Sequence, residues 1–240
     1  MSSAPAQTYY VVMPQQPPDI GASIRPISRL LQEEEEAVRQ RLVVRGFQVL
    51  RRFAKKSNAE GLRGQLDALG ITTFIVSDLA IKAHLFMWCK SARRGGGGMA
   101  LADFAGAPFY CPYPDIVSVS ILPVRREDGT TTTFIDLHRK SAPITPRLDA
   151  AMFNFPEMLV RADATMDHFL DDLEANTNLV IERQFEENRD RMQVVVDDIA
   201  ERPSEFAPTK DALVSPYDRK DLLCASIYSF LTRARLIESH

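Results

Sequence analysis

The best local cluster of titratable side chains for chemistry in this 240-residue sequence is FIDLHRK, residues 134–140, which carries Asp136, His138 and Arg139. Alternation along a strand puts Asp136 and His138 on one face, where a carboxylate could orient an imidazole as a general base. The solvent side of a hairpin produces the same pattern, and that is the expected setting here. His84 and Cys89 lie five apart on an expected helix, about 140° around its surface, so they do not form a metal-ligand pair. Cys111, in FYCPYP, has no base near it in sequence and reads as a small core filler. The acids of DHFLDDLE, residues 167–174, read as the wet side of a helix. No nucleophile elbow, dinucleotide fingerprint or metal-ligand spacing appears. The expectation is a chain that is not an enzyme, with no catalytic, cofactor-binding or metal-ligating residues.

A second candidate is ARRGGGGMALADF, residues 92–104. A phosphate cradle needs a strand, a spaced glycine pair, a lysine and a hydroxyl, so that amides and an ammonium meet the phosphates. This stretch has neither the lysine nor the hydroxyl. Gly95 to Gly98 therefore reads as a flexible connection between two helices, with Arg93 and Arg94 as interaction candidates.

The same residues carry a resemblance. If Phe104 opens a helix, the twelve residues Ala92 to Asp103 place Gly97 sixth, Met99 eighth, Leu101 tenth and Asp103 twelfth. LRGQLDALGI, residues 62–71, fits the second helix and linker of a preceding unit, with FAKKSNAEG, residues 53–61, as its shortened loop. Residues 46–108 thus resemble a degenerate EF-hand pair. The first, third and fifth loop places hold Ala92, Arg94 and Gly96, and Lys55 and Lys56 stand where acids belong, so the resemblance implies hands that bind no calcium.

These candidates must be positioned by the rest of the chain. Its apolar fraction of 45% and charged fraction of 25% exclude a disordered or membrane composition, and its length allows one domain or two. A net charge of −3 makes nucleic acid an improbable partner for the whole chain. Three scattered cysteines imply a reducing, intracellular compartment. The stretch from Ile71 to Trp88 is broken by Asp78, Lys82 and His84, so no membrane span is expected. The first 20 residues lack Lys and Arg, which leaves no recognisable targeting peptide and points to the cytosol or an organelle interior.

Pro and Gln enrichment makes residues 1–26 an extended arm. Leu31, Val38, Leu42, Phe47, Leu50 and Ala54 suggest one long amphipathic helix from Ile27 to about Lys56. Its basic residues Arg39, Arg45, Arg51, Arg52, Lys55 and Lys56 are interaction candidates. A short helix ends at Gly70, and a buried one runs from Ser77 or Asp78 to about Ala92. Two β-rich runs joined by Asp128-Gly129 predict a hairpin over about 116–139. Heptad spacing then predicts a long helix, or a helical hairpin broken near Asn176, over about 157–201, with thirteen acids against four arginines. A linker marked by Pro203 and Pro208 and a helix starting at Ser215-Pro216 close the chain.

The sequence therefore predicts a mostly α fold: an arm (1–26), a helix-loop-helix, EF-hand-like domain (27–110), a β-hairpin segment (111–146) and a C-terminal helical region (147–240). The expected function is a non-catalytic accessory or structural subunit of a larger assembly. It would bind other protein subunits through the arm, the charged helices and the edge hairpin. The alternatives are a degenerate EF-hand scaffold, or a viral matrix- or nucleoprotein-like chain using the basic helix face.

Overall fold

The computed structural model describes residues 7–153, 155, 162–200 and 216–238. Residues 1–6 of the expected arm, the linker at Pro203 and Pro208, and the Ser215 cap lie outside the described residues. The fold is mixed α/β, with 41% helix and 32% strand. That balance overturns the mostly α expectation. In chain order the elements are β1 (Tyr9–Met13), α1 (Ile20–Leu31), α2 (Glu35–Leu42), β2 (Gln48–Phe53), α3 (Lys56–Asp67), β3 (Phe74–Ser77), α4 (Asp78–Ala83), β4 (Phe86–Gly95), β5 (Gly98–Asp103), β6 (Pro108–Pro112), β7 (Ile116–Arg125), β8 (Thr131–Arg139), β9 (Thr145–Asp149), α5 (Ala162–Asn176), β10 (Val180–Glu182), α6 (Phe185–Ala200) and α7 (Arg219–Glu238). They divide into two compact units.

The first unit holds residues 7–83, 187–200 and 234–238. Its antiparallel sheet has the order β2-β1-β3. YYVVM is aromatic and β-branched, which suits a strand covered on both faces, and Tyr10, Val11, Val12 and Met13 are all buried. Within the expected arm, Tyr9–Met13 are thus the middle strand of a sheet, and the residues from Ile20 open α1. The Asp19 carboxylate caps α1 by accepting from the Ala22 amide at 2.9 Å, and Ile24, Ile27 and Leu31 face the core. The single helix expected over 27–56 does not form. Gln32, at φ 55°, ends α1, and Gly46, at φ 94°, turns the chain into β2. Phe47 falls five residues after Leu42, off the three- and four-residue spacing of a helix, at this boundary. A Cβ on Gly46 would lie 2.2 Å from the Asn188 side chain, so glycine is needed there for space as well as for φ.

The second unit holds residues 84–186 and 216–233. Its seven strands follow the order β10-β7-β8-β9-β4-β5-β6, with β10 parallel to β7, β9 parallel to β4 and every other pair antiparallel. The hairpin over 116–139 is the β7–β8 pair, closed through Gly129 at φ 82°. It lies inside the sheet rather than alone at an edge. Phe169, Leu170 and Leu173 of α5 pack with Cys89, Leu101, Val119, Ile135, Leu137 and Leu148 from alternate strand positions on one face. On the opposite face lie Ser120, Phe134, Asp136, His138 and Arg147, beside α7.

Two further corrections follow from that layering. The buried helix expected from 78 to 92 is the six-residue α4 followed by β4, because a strand covered on both faces shows the same unbroken apolar run as a buried helix. Residues 92–103, the twelve EF-hand-like places, form a β-hairpin with no flanking helix, so the helix-loop-helix arrangement is absent. The long acidic segment is two helices with β10 between them. The Asn176 amide donates to the Asp172 carbonyl at 2.7 Å and the Thr177 hydroxyl to the Leu173 carbonyl at 2.6 Å, satisfying the last carbonyls of α5 and ending it.

Candidate functional site

The strongest convergence of reactive side chains is the polar layer of the large sheet beneath α7. Asp136 from β8 accepts two hydrogen bonds from Arg147 of β9, Nε to Oδ1 at 2.8 Å and Nη2 to Oδ2 at 2.6 Å. The remaining Nη1 donates to Ser226 Oγ of α7 at 2.9 Å, and the guanidinium lies 3.9 Å above the centre of the Phe86 ring. A bidentate carboxylate and an aromatic face together satisfy a cation that has left water. Next to it, His138 Nε2 is 2.8 Å from Ser120 Oγ, the spacing of a base and a hydroxyl nucleophile. Both residues are fully buried, so no substrate reaches that pair. The solvent-side setting expected for Asp136 and His138 is therefore corrected: the shared face is as expected, but it is an interior one.

A neighbouring network centres on Asp149, which accepts from the Tyr217 hydroxyl at 2.6 Å and from the Thr132 hydroxyl, and pairs with Arg126 at 3.3 Å. Burial, then the Asp149 bond, pushes the Tyr217 phenol well above its ordinary range. Trp88 stacks on Tyr217 at 5.7 Å and Phe134 meets both edge-on, which closes the layer. Sequence reasoning missed Arg147, Ser120, Tyr217 and Ser226. The signal was present in TPRLD, where Thr145, Arg147 and Asp149 alternate and share one face with Asp136.

His84 lies with its Nε2 3.0 Å from Thr145 Oγ1 and its ring against Phe86 and Phe230. Burial, then the nearby Arg233 charge, lowers it to about 3, which keeps the imidazole neutral. Burial raises Cys89 to about 12 and Cys111 to about 11, and both thiols sit in the core. Among the described residues no three His, Cys, Asp or Glu side chains gather in a way that could hold a metal.

The glycine run is the turn of the β4–β5 hairpin. Gly97 takes φ 84°, and a Cβ on Gly98 would come within 2.5 Å of the Cys111 carbonyl oxygen. The Tyr110 ring lies over the run, and its hydroxyl donates to the Gly96 carbonyl at 2.9 Å. Arg94 reaches back to α5, where Asp172 takes its Nε at 2.6 Å and the Tyr113 hydroxyl at 2.7 Å. Arg93 faces the other way, exposed, in register with Ala100 and Tyr110.

The basic candidates of the first unit are spread over three elements. Arg39 of α2 pairs with Glu36 at 3.2 Å, and Lys56 of α3 pairs with Glu60 at 3.3 Å. Arg51 and Arg52 occupy the outer strand β2, in register with Val11 and Tyr10. Arg45 and Lys55 are exposed in the connections around β2, and the Arg45 carbonyl accepts from Arg191 at 3.5 Å. The continuous basic helix face expected from Arg39 to Lys56 does not exist, because β2 interrupts it.

No family model matches the sequence, and neither a curated protein nor a solved structure matches the chain. Among the described residues, no helix is long and apolar enough to cross a membrane.

Proposed function

We propose that this chain is a non-catalytic accessory subunit that binds other proteins of a larger assembly. The observation that carries the reading is the uncovered outer face of β5, β6 and the Arg93 end of β4. There Arg93, Ala100, Pro108 and Tyr110 are exposed in adjoining rows, with Phe104 exposed at the neighbouring turn. Tyr, Phe and Arg are residue types enriched at the centre of protein interfaces. The partner surface that suits this face is apolar with an acidic side chain opposite Arg93. The interior use of Asp136, His138 and Arg147 supports the non-catalytic part of the reading, since each of these groups already has a neighbour under α7. Three free, buried thiols support a reducing, intracellular setting.

Cross-linking mass spectrometry on the chain purified from its native source tests the proposal. Links from Lys90, beside Phe104, to another protein, abolished by Tyr110→Asp with Arg93→Glu, are the expected result. A chain that elutes from native extract as a monomer and yields no intermolecular links overturns it.

A further inference from the structure

A groove of about 370 Å³ opens on the first unit, between the start of α1 and the turn that follows α3. Pro17, Pro18, Pro26 and Leu69 give it apolar walls. Pro18, Asp19, Ala22, Leu69 and Gly70 are all exposed, so the groove is open to an incoming group. Leu69 is held outward, 47% exposed, because Gly70 at φ 72° turns the chain and sends Ile71 into the core instead.

The polar atoms of this groove are almost all acceptors. Its three prolines have no N–H. The amides of Ala22 and Ser23 donate to Asp19, and those of Leu69, Gly70 and Ile71 donate to carbonyls of Leu66 and Asp67. The Ser23 hydroxyl is spent on the Asp19 carbonyl, at 2.6 Å. Acceptors remain. One carboxylate oxygen of Asp19 is pinned by the Ala22 amide at 2.9 Å, which fixes the other in place, and that second oxygen has no partner among the described residues. Pro26 has no amide hydrogen to give the Ala22 carbonyl one turn back, so that carbonyl keeps its acceptor capacity. The C-terminus of α3 adds its partial negative charge, with no basic residue in its last turn to offset it. Among the described residues, no Lys, Arg or His lines the groove.

Apolar walls that carry acceptors are complementary to a cation on an apolar stem. We infer that this groove takes an arginine side chain of a partner protein. The guanidinium would meet Asp19 and the Ala22 carbonyl, and its methylenes, with apolar neighbours in the partner segment, would lie on Pro18, Pro26 and Leu69. A guanidinium suits the place better than an ammonium because it is more weakly hydrated and carries donors along several edges. Small molecules sit in pockets that enclose most of their surface, whereas walls as exposed as these suit a side chain presented by another protein. The inference rests on the reading of this chain as a protein-binding subunit and adds a contact in the unit that does not hold Arg93 and Tyr110.

Titration of the intact chain with the peptide acetyl-Gly-Leu-Arg-Leu-Gly-amide, followed by amide NMR, tests the assignment. Saturable shifts at Ala22, Leu69 and Gly70 are the expected result, with binding about tenfold weaker or worse when citrulline, the neutral isostere, replaces the arginine. Asp19→Asn keeps a helix-capping side chain and removes the charge, so it should weaken the peptide about tenfold at an unchanged melting temperature. Pro26→Ala returns an amide hydrogen to the Ala22 carbonyl and should weaken the peptide about threefold. No saturation overturns the inference, as does equal binding of the citrulline peptide or an unchanged affinity in Asp19→Asn. Agmatine binding as tightly as the peptide would also overturn it, by assigning the groove to a small molecule. The titration needs no native partner, so its failure leaves the Arg93 face standing, and failure of the cross-links at that face leaves the titration standing.

Discussion

Asp136 and Arg147 meet side-on across neighbouring strands, at 2.8 and 2.6 Å, with the carboxylate fully buried and the guanidinium 1% exposed. Removing one partner of such a pair leaves a charge in the interior without its complement. Asp136→Leu is expected to cost about 3–5 kcal/mol, and Arg147→Met a similar amount. The double variant should recover most of the loss, because two apolar side chains replace a pair whose desolvation offsets its attraction. Urea unfolding of the four proteins measures the coupling, and strictly additive losses would contradict it.

The four glycines of the β4–β5 turn are not equivalent. Gly98→Ala sets a methyl against the backbone of β6, which cannot give way, and should destabilise by ~2–3 kcal/mol. Gly97→Ala meets open space but keeps the left-handed φ, for a loss of ~1 kcal/mol. Gly96→Ala meets nothing within 4 Å and should stay within ~0.5 kcal/mol of the parent. Thermal melts of the three variants give the order, and an equal effect at all three positions would mean that the run is a flexible link instead.

His84 gives the stability a pH dependence of definite sign. Its folded value is about 3 and its ordinary value 6.5, so between those limits the unfolded chain binds a proton that the folded chain refuses. Stability from this group is complete above pH 6.5 and falls as the pH drops toward 3, by at most about 3 kcal/mol over two pH units. His84→Gln should flatten the slope of unfolding free energy against pH in that window. An unchanged slope would assign the acid sensitivity to other groups.

The buried thiols supply the mirror case. Cys89 and Cys111 rise to about 12 and 11 on burial, so above pH 9 the unfolded chain loses protons that the folded chain keeps. Stability should therefore decline from pH 9 upward. At pH 8 a thiol reagent should label neither residue in the native state, and both in urea. Rapid labelling of either residue without denaturant would show that its strand opens readily.

The parts of this fold visible in the sequence were those whose signal is local. The β7–β8 hairpin announced itself through alternation and Asp128-Gly129, and α3 through Leu62 and Leu66. Strand β4 did not, because burial on two faces erases the alternation in Phe86 to Cys89 that would distinguish it from a helix. Strand β1 was obscured by the prolines that follow it. The shared face of Asp136 and His138 was legible, but its burial was not: Arg147 comes from another strand and Ser226 from α7, ninety residues further on. Period-two reasoning says which side chains travel together, and only tertiary contact says what they meet.

The position of β1 in its sheet also bears on how the chain acquires its shape during synthesis. Tyr9 to Met13 are synthesised before both of their neighbours, β2 and β3, the second of which ends only at Ser77. Until β2 is complete at Phe53 the strand has no mate, and until Ser77 it has only one, so a nascent chain stalled before residue 77 would offer an open strand edge to whatever chaperone or neighbouring polypeptide is at hand.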